Sequence, residues 1–333
     1  MGVALRDIIA EYKNPVTWDG LSGVAAIDAN NALYQFLTII RQPDGTPLMD
    51  HKGRVTSHLS GILFRMVNFL EKGIKPVFVF DGKPPDLKNA TIAVRRKIRD
   101  DAGEKWKEAL EKGDEEEAYR QARSSTRVDE TIIKTSKELL DLMGIPYVQA
   151  AGEGESQAAF MVQRGDARYA VSQDYDTLLF GAPLLVRNLT VSGKRKIRGR
   201  VISVNPERIV LDEVLASLKL TREELIQVGI LVGTDFNPGI EGVGAKTGLK
   251  IVKKGEFAKK IAEKCPDFDP EPVLNLFLRP PVTTDYTLVW GHPDAEKIKK
   301  MLCDGYDFAE ERVESALERY TVKSGQKTLE SFF

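Results

Sequence analysis

Cysteine and histidine are scarce in this chain of 333 residues, and this scarcity removes several classes of chemistry. The two cysteines, Cys265 and Cys303, lie far apart, and neither belongs to a Cys-x-x-Cys pair. The three histidines lie away from the acidic motifs of the chain. This pattern argues against a disulfide framework, a zinc site and histidine-centred catalysis, and it favours a reducing compartment.

Long apolar runs and a strong net charge are also missing. No segment approaches the ~18 consecutive apolar residues of a membrane span, and no signal peptide leads the chain, so we expect no membrane partner. The net charge is −1, but basic residues cluster in the segments 88–99, 194–200 and 246–260. Each cluster is either a phosphate-binding surface or a solvated face, and composition alone leaves both open.

Alternating strand and helix patterns predict an α/β fold in the first two thirds of the chain. Helical patterns separate the predicted strands, and this alternation favours a mainly parallel, twisted sheet flanked by helices. The second half becomes helical, and a capping box at Thr221 and Glu224 begins one of its helices. The predicted strands are 23–29, 75–80, 146–149 and 168–172.

One segment interrupts this alternation and suggests how the chain is organised. Residues 84–128 are highly charged and hold few large apolar side chains, so we expect an exposed helical insertion. A single domain over 1–320 would then precede a flexible tail, 321–333. Its parts are an N-terminal region 1–83, the insertion 84–128, an internal region 129–235, a helical region 222–260 around a glycine-rich turn, and C-terminal helices 261–320.

Seven carboxylates stand at the ends of apolar runs or in tight acidic pairs. A strand that stops at an Asp places that carboxylate at the carboxyl edge of a sheet, where open α/β folds bind ligands. One such residue alone is more often a helix cap, and one acidic pair alone is more often surface. The whole set exceeds what one Mg²⁺ needs and favours two hard cations. The seven are Asp28, Asp81, Glu153, Glu155, Asp174, Asp176 and Asp235.

Two further patterns are suited to contacts with phosphate. Lys88 and Arg95 are seven residues apart, so they share a face if the insertion begins as a helix, and they could then hold a scissile phosphate. The turn 239–247 resembles a P-loop, but Ala245 separates its last glycine from Lys246, and a helix precedes it. This turn either binds a DNA phosphate or serves only as a tight connection between two helices.

The last eight residues, QKTLESFF, carry an apolar tip on a polar tail. Leu329 and Phe332 are three residues apart, and Phe333 follows directly. This spacing is typical of a peptide that anchors in a hydrophobic pocket of a partner.

These motifs, in this order, resemble the flap endonuclease family of structure-specific 5′ nucleases. The resemblance covers essentially the whole chain and rests on AAIDAN, KPVFVFDGKPP, GEGESQAA, SQDYDTLLFG, LVGTDFNPGIEGVGAKT and QKTLESFF. It implies that the seven carboxylates bind two Mg²⁺ ions, with Mn²⁺ as a substitute. It also implies hydrolysis of a phosphodiester where a 5′ flap meets duplex DNA, with 5′–3′ exonuclease activity, in Okazaki fragment maturation and DNA repair.

The same resemblance assigns roles to the remaining candidates. Lys88 and Arg95 would be catalytic residues on a helical arch over the active site, and K⁺ would bind at a helix–two-turn–helix. Spacing alone makes Tyr34 a core residue, whereas the resemblance makes it stack on a base. The DNA-binding set would be Gly2 (the amino terminus after loss of Met1), Tyr34, Arg127, Gly242, Gly244, Lys246 and Thr247. The sliding-clamp peptide would contain Gln326, Leu329, Phe332 and Phe333.

The chain stops at Phe333, where eukaryotic relatives usually carry a basic extension. This favours an archaeal-type protein without nuclear targeting, cytoplasmic and nucleoid-associated, which acts as a monomer. The alternatives are a related exonuclease or junction-cutting nuclease and a non-catalytic DNA or clamp adaptor. The complete acidic set argues against the adaptor.

Overall fold

A seven-stranded sheet forms the centre of the molecule. The computed structural model describes residues 2–42, 45–191, 193–197 and 200–324. The strand order is β1-β9-β6-β5-β2-β3-β4, and a separate two-stranded hairpin consists of β7 and β8. The strands are β1 (Asn14–Pro15), β2 (Gly23–Asp28), β3 (Ile74–Phe80), β4 (Tyr147–Gln149), β5 (Tyr169–Val171), β6 (Leu184–Arg187), β7 (Gly193–Ile197), β8 (Arg200–Val204) and β9 (Glu207–Val210).

Helices cover both faces of this sheet. None of those in the described part of the chain is long and apolar enough to cross a membrane. They are α1 (Arg6–Ile9), α2 (Ala29–Ile39), α3 (Ser57–Glu71), α4 (Asn89–Glu111), α5 (Glu115–Ser124), α6 (Glu130–Leu142), α7 (Gly154–Gln163), α8 (Asp176–Leu179), α9 (Leu211–Leu218), α10 (Arg222–Val232), α11 (Ala245–Lys253), α12 (Phe257–Lys264), α13 (Glu271–Leu278), α14 (Ala295–Lys299) and α15 (Glu310–Ser324).

The central strands are parallel and buried on both sides. β4, β3, β2, β5 and β6 run parallel, and β9 and β1 add an antiparallel edge. Along β2, Ala25 and Ile27 pack into one core while Ala26 packs into the other, as the two-residue period of a strand requires. The predicted mainly parallel α/β sheet is confirmed, and the continuous apolar runs reflect burial on both faces.

The charged insertion folds as the predicted helices, α4 and α5. They pack against each other through small side chains that are almost completely buried, Ala102, Ala109, Ala118 and Ala122. Alanines let two helices approach closely with little apolar surface, so a pair can form without the wide apolar stripe of a core helix. Larger apolar residues of α4, such as Val94 and Ile98, remain exposed.

Several boundaries differ from the sequence-based ones. Of the basic cluster 194–200, residues 194–197 and 200 lie on the paired strands β7 and β8, which the charged pattern did not predict. The second helix of the turn region, α11, ends at Lys253, so the boundary at 260 lies inside α12. Helix α15 continues to Ser324, past the predicted boundary at 320. The predicted clamp residues Gln326, Leu329, Phe332 and Phe333 lie outside the described residues.

Candidate active site

Three of the candidate ligands meet at the carboxyl edge of the sheet. Asp28 ends β2, Asp81 follows β3 directly, and Asp174 lies three residues after β5. Because β2 lies between β5 and β3, their carboxylates converge in space although they are distant in sequence. Asp28 also caps α2, since its Oδ1 accepts a hydrogen bond of 3.0 Å from the backbone N–H of Asn31.

The acidic pair in GEGES reaches the same edge from the start of α7. Glu153 occupies the N-cap position and Glu155 lies in the first turn. The N–H of Gly154 donates to Asp81 Oδ1 at 2.6 Å, and a Cβ at Gly154 would stand only 2.9 Å from that oxygen. A glycine is therefore needed for the backbone to approach Asp81 this closely. Ser172 Oγ lies 3.1 Å from Glu155 Oε1 and 3.3 Å from Asp28 Oδ2.

The amino-terminal segment holds the second acidic pair. The N–H of Gly2 donates to Asp174 Oδ1 and that of Val3 donates to Asp176 Oδ1, both at 2.8 Å. A Cβ at Gly2 would lie 2.8 Å from Asp174 Cβ, so this approach also needs a glycine. The sequence predicted a DNA contact for Gly2, whereas the structure places it against two candidate ligands.

Burial and repulsion from neighbouring carboxylates raise the pKa values of Asp28, Glu155 and Asp176. Burial raises the pKa of Asp28 to about 8, with a further contribution from the charge of Asp81. Burial likewise raises the pKa of Asp176 to about 7, followed by the charge of Asp235. The pKa of Glu155 stands well above its ordinary value because of burial and then the charge of Asp176. Such buried, like-charged groups favour a nearby cation.

Two basic residues of the insertion face this acidic group. Lys88 Nζ contacts Glu153 and lies 3.5 Å from Asp235 Oδ2. Arg95 reaches both carboxylate oxygens of Asp235, with 2.9 Å from its Nη1 to Oδ2. Burial would lower the pKa of Lys88, but the charge of Glu153 and the hydrogen bond to it raise it above its ordinary value. The predicted shared face of Lys88 and Arg95 is therefore observed.

The donor set fits divalent cations with oxygen ligands. All seven carboxylates interact electrostatically as one connected group. Within the described residues, no three acidic, histidine or cysteine side chains converge closely enough to enclose one ion by themselves. Mg²⁺ ordinarily keeps several waters and takes one or two carboxylates directly, so this arrangement suits hydrated ions rather than a closed protein cage.

The glycine-rich turn between α10 and α11 presents an exposed basic surface. Gly239 has φ +77°, and a Cβ there would lie 2.5 Å from the carbonyl carbon of Val232, so the tight turn requires a glycine. The backbone then enters α11, and the first N–H groups of a helix have no partner within it, which makes a helix start suited to binding anions. The predicted DNA-contact residues of this turn are all exposed: Gly242, Gly244, Lys246 and Thr247.

The other two predicted DNA contacts lie outside the acidic group. Tyr34 on α2 is 39% exposed, so the expectation from spacing that it belongs to the core was wrong. Its exposure leaves the ring accessible to a stacking partner. Arg127, after α5, is exposed and pairs with Asp100, so in this structure it connects the segment after α5 to the middle of α4.

Sequence reasoning missed the polar neighbours that hold the carboxylates. Asn30 contacts Asp81, Asn31 contacts Asp174, and the Val3 N–H contacts Asp176. The only signal for the asparagines was their position two and three residues after Asp28 in the motif IDANN. Nothing near Val3 in the sequence indicates its contact, which spans 173 residues of chain.

Comparison with known proteins identifies the class of this fold and site. The family model of the XPG N-terminal domain matches residues 1–102, and that of the XPG I-region matches residues 144–235. These two stretches contain all seven carboxylates. The fold and the acidic edge therefore define a nuclease of the XPG class.

Individual relatives show which family within this class the chain resembles. The chain is 81% identical to flap endonuclease 1 of Methanoregula boonei over the full length of both proteins. It is 54% identical to that of Pyrococcus furiosus, covering 100% of this chain and 99% of the relative. The solved flap endonuclease-1 of Methanococcus jannaschii is 40% identical and superposes with a TM-score of 0.79, covering 98% of this chain and all of that one.

A DNA-bound relative has the same architecture. The catalytic core of Rad2 in complex with a DNA substrate is 25% identical and gives a TM-score of 0.71 over 96% of this chain and all of that core. The chain belongs to the flap endonuclease 1 family, whose members are metal-dependent nucleases that hydrolyse phosphodiester bonds of DNA.

Proposed function

We propose that this protein cuts 5′ flaps at the junction of single- and double-stranded DNA with the help of two Mg²⁺ ions. The observation that carries the proposal is the electrostatically connected group of seven carboxylates beside the carboxyl edge of the sheet, with Lys88 and Arg95 facing it. The excess negative charge of the carboxylates would bind the cations. The cations would then attract a phosphate, which the two basic side chains would face. Mn²⁺ should substitute, since it takes the same oxygen ligands.

The proposed ligands of the ions are the seven carboxylates already described. Bound there, divalent ions would supply positive charge that activates a water and stabilises the leaving oxygen. The chain itself holds its carboxylates in place through the N–H groups of Gly2, Val3 and Gly154. Lys88 and Arg95 would stabilise the charge that develops on the phosphate, because both are cationic and partly shielded from water.

Other surfaces of the molecule would hold the rest of the substrate. The exposed turn before α11 is suited to a phosphate of the duplex, with Lys246 adding charge and K⁺ bound at the turn. Tyr34 is suited to stacking on a base next to the scissile bond. Cutting inside duplex requires terminal bases to unpair first, at roughly a few kcal/mol of unstacking.

We further propose that residues 326–333 dock on a sliding clamp while the nuclease acts as a monomer. Leu329 and the two terminal phenylalanines have the spacing of an anchor for a hydrophobic pocket. We also infer that the protein acts on DNA in the cytoplasm, in replication and repair, and the full-length similarity to flap endonuclease 1 of Methanoregula boonei and Pyrococcus furiosus supports this inference.

The decisive experiment is cleavage of a 5′ flap with and without Mg²⁺, comparing the unchanged chain with Asp174→Ala. We expect the variant to bind flap DNA yet lose cleavage by several orders of magnitude. Asp267→Ala, which removes an exposed carboxylate remote from the site, should cut normally. Near-normal turnover of Asp174→Ala in Mg²⁺ would refute the assignment of the metal ligands.

Two further assays separate the proposal from its rivals. A related exonuclease or junction-cutting enzyme would prefer nicked or four-way-junction DNA over flaps under the same conditions. Truncation after Gly325 should leave basal flap cleavage intact and abolish stimulation by the clamp. Full stimulation of the truncated chain would contradict the docking role of the tail.

A further inference from the structure

Two consecutive asparagines follow Asp28 and contact carboxylates on opposite sides of it. The Asn30 amide donates to Asp81, and the Asn31 amide donates to Asp174 Oδ2 at 3.1 Å. Consecutive side chains of a helix diverge by about 100°. Since β2 lies between β3 and β5, this divergence lets the pair reach the ends of both neighbouring strands from one place.

The orientation of the Asn31 side chain is defined by its other contacts. A carboxylate can only accept, so Asn31 must present its NH₂ group to it and turn its Oδ1 away. That Oδ1 accepts from Gln35 Nε2 and from the backbone N–H of Gln173 at 3.3 Å. Gln35 Oε1 in turn accepts from Thr190 Oγ1 at 2.7 Å. A chain of polar groups therefore holds Asn31 in one orientation.

The side chain of Asn30 gives a second, independent indication that a ligand binds beside these carboxylates. Its Oδ1 is buried and has no hydrogen-bond partner among the described residues. A buried acceptor without a donor costs roughly 1–3 kcal/mol. The NH₂ group of the same amide is used by Asp81, so among the described residues this acceptor lacks a donor. Water molecules bound to a cation are strong donors and would satisfy it.

We propose that Asn30 and Asn31 are positioning residues that hold Asp81 and Asp174 at the separation required to bind two divalent cations. The inference rests on the proposed function, because it takes these carboxylates as ligands. Asp81 and Asp174 both repel Asp28 electrostatically, so without fixed donors they would tend to move apart. Polar groups behind the ligands of a metal site orient them and tune its affinity.

The plainer explanation is that the amides only relieve repulsion and support folding. The two explanations differ in what a variant changes. A purely structural role lowers the stability of the variant and leaves its affinity for metal unaltered. A positioning role weakens metal binding in protein that is still folded.

The test is calorimetric titration of the metal-free full-length chain with Mn²⁺, together with thermal unfolding. We expect Asn30→Ala and Asn31→Ala each to weaken Mn²⁺ binding by about 10- to 100-fold, the usual effect of removing a group behind a metal ligand. Asn14→Ala, which removes an exposed asparagine on β1, should bind as the unchanged chain does.

A second variant keeps the test decisive if Asn31→Ala fails to fold. Gln35→Leu removes the support behind Asn31 and touches none of the carboxylates in the described contacts. We expect it to weaken Mn²⁺ binding several-fold in protein that is still folded. Unaltered Mn²⁺ affinity in the folded variants would overturn the inference.

Asp174→Ala separates this outcome from failure of the proposed function. If Asp174→Ala loses Mn²⁺ binding while the asparagine and glutamine variants retain it, only the positioning role is overturned. If Asp174→Ala itself binds Mn²⁺ like the unchanged chain, the ligand assignment is wrong, and the inference that rests on it falls too.

Discussion

Basic residues occur in two very different surroundings in this molecule: on the insertion and at the turn between α10 and α11. Lys88 and Arg95 of the insertion are partly buried and contact carboxylates of the acidic group. Lys246 and Lys250 of α11 are exposed to solvent. Both regions are basic in sequence, yet among the described contacts those with the acidic group come from the insertion.

This difference in surroundings determines what each charge can do. In a partly buried site, the effective dielectric constant is low, so a cation strongly stabilises developing negative charge. At an exposed surface, water and salt screen the same charge, which then contributes to holding DNA in a salt-dependent way. We therefore expect the insertion residues to govern the rate of cleavage and the turn residues to govern affinity.

Among substitutions in these two regions, the largest effect should come from Lys88→Ala. Removing a charged donor from a preorganised site typically costs about 10²–10³-fold in rate. We expect a loss of this size in the single-turnover rate at saturating flap DNA, with the dissociation constant for DNA little changed. If Lys88→Ala instead bound flap DNA more weakly and cut saturating DNA at the normal rate, the insertion and the turn would not differ in function as we expect.

Arg95→Lys separates the effect of charge from the effect of geometry on the insertion, because it keeps the charge. Arg95 contacts both oxygens of Asp235, a geometry that lysine lacks. We expect the saturated cleavage rate to fall about 10-fold, equivalent to one charge-assisted hydrogen bond of roughly 1.5 kcal/mol. Equal cleavage rates for Arg95→Lys and the unchanged protein would mean that only charge, and not geometry, matters at this position.

Gly239→Ala should damage the turn and leave the acidic group intact. Its added Cβ would overlap the backbone of Val232 at a positive φ, so we expect a loss of about 3 kcal/mol in the free energy of unfolding. Affinity for flap DNA should fall several-fold while the saturated rate persists. Urea denaturation and DNA titration measure the two effects.

Gly242→Ala is the matched control for this substitution. Its φ is +78°, almost the same, but no atom lies within 4 Å of the added Cβ. Only the backbone conformation is penalised, at roughly 1 kcal/mol. Equal destabilisation by both substitutions would show that the close approach to Val232 is unimportant.

The smallest effect should come from Lys246→Ala. We expect affinity to fall about threefold and the slope of log affinity against log salt to decrease by roughly one, as for the loss of one phosphate contact. The saturated cleavage rate should stay unchanged. A change in that rate, with an unaltered salt slope, would place Lys246 in the catalytic step instead.

The central strands and the ligand candidates could be predicted because local sequence determines them. β2 and β3 are apolar runs buried on both faces, and each leads directly to an Asp. The capping box of α10 was likewise confirmed, with reciprocal contacts between Thr221 and Glu224. A strand that is buried on both faces is a continuous run of apolar residues, and such a run can be recognised in the sequence.

Other elements left no comparable pattern. Strands β1, β6 and β9 were not predicted, because they form the edge of the sheet through antiparallel pairing of β9 with β6 and with β1, which are distant in sequence. The exposure of Tyr34 was also missed, because helical spacing locates a face of α2 but not what covers it.

By itself, the sequence determined the α/β class, the helical insertion, the seven carboxylates and the two basic residues opposite them. Each of these depends on local order: apolar runs, helical spacing and the position of an acid at the end of a strand. Only the tertiary structure decided which groups hold those acids, namely the Gly2 and Val3 N–H groups and the side chains of Asn30 and Asn31. The reason is physical, since hydrogen bonds between residues on different strands depend on the strand order of the sheet, and local patterns do not contain that order.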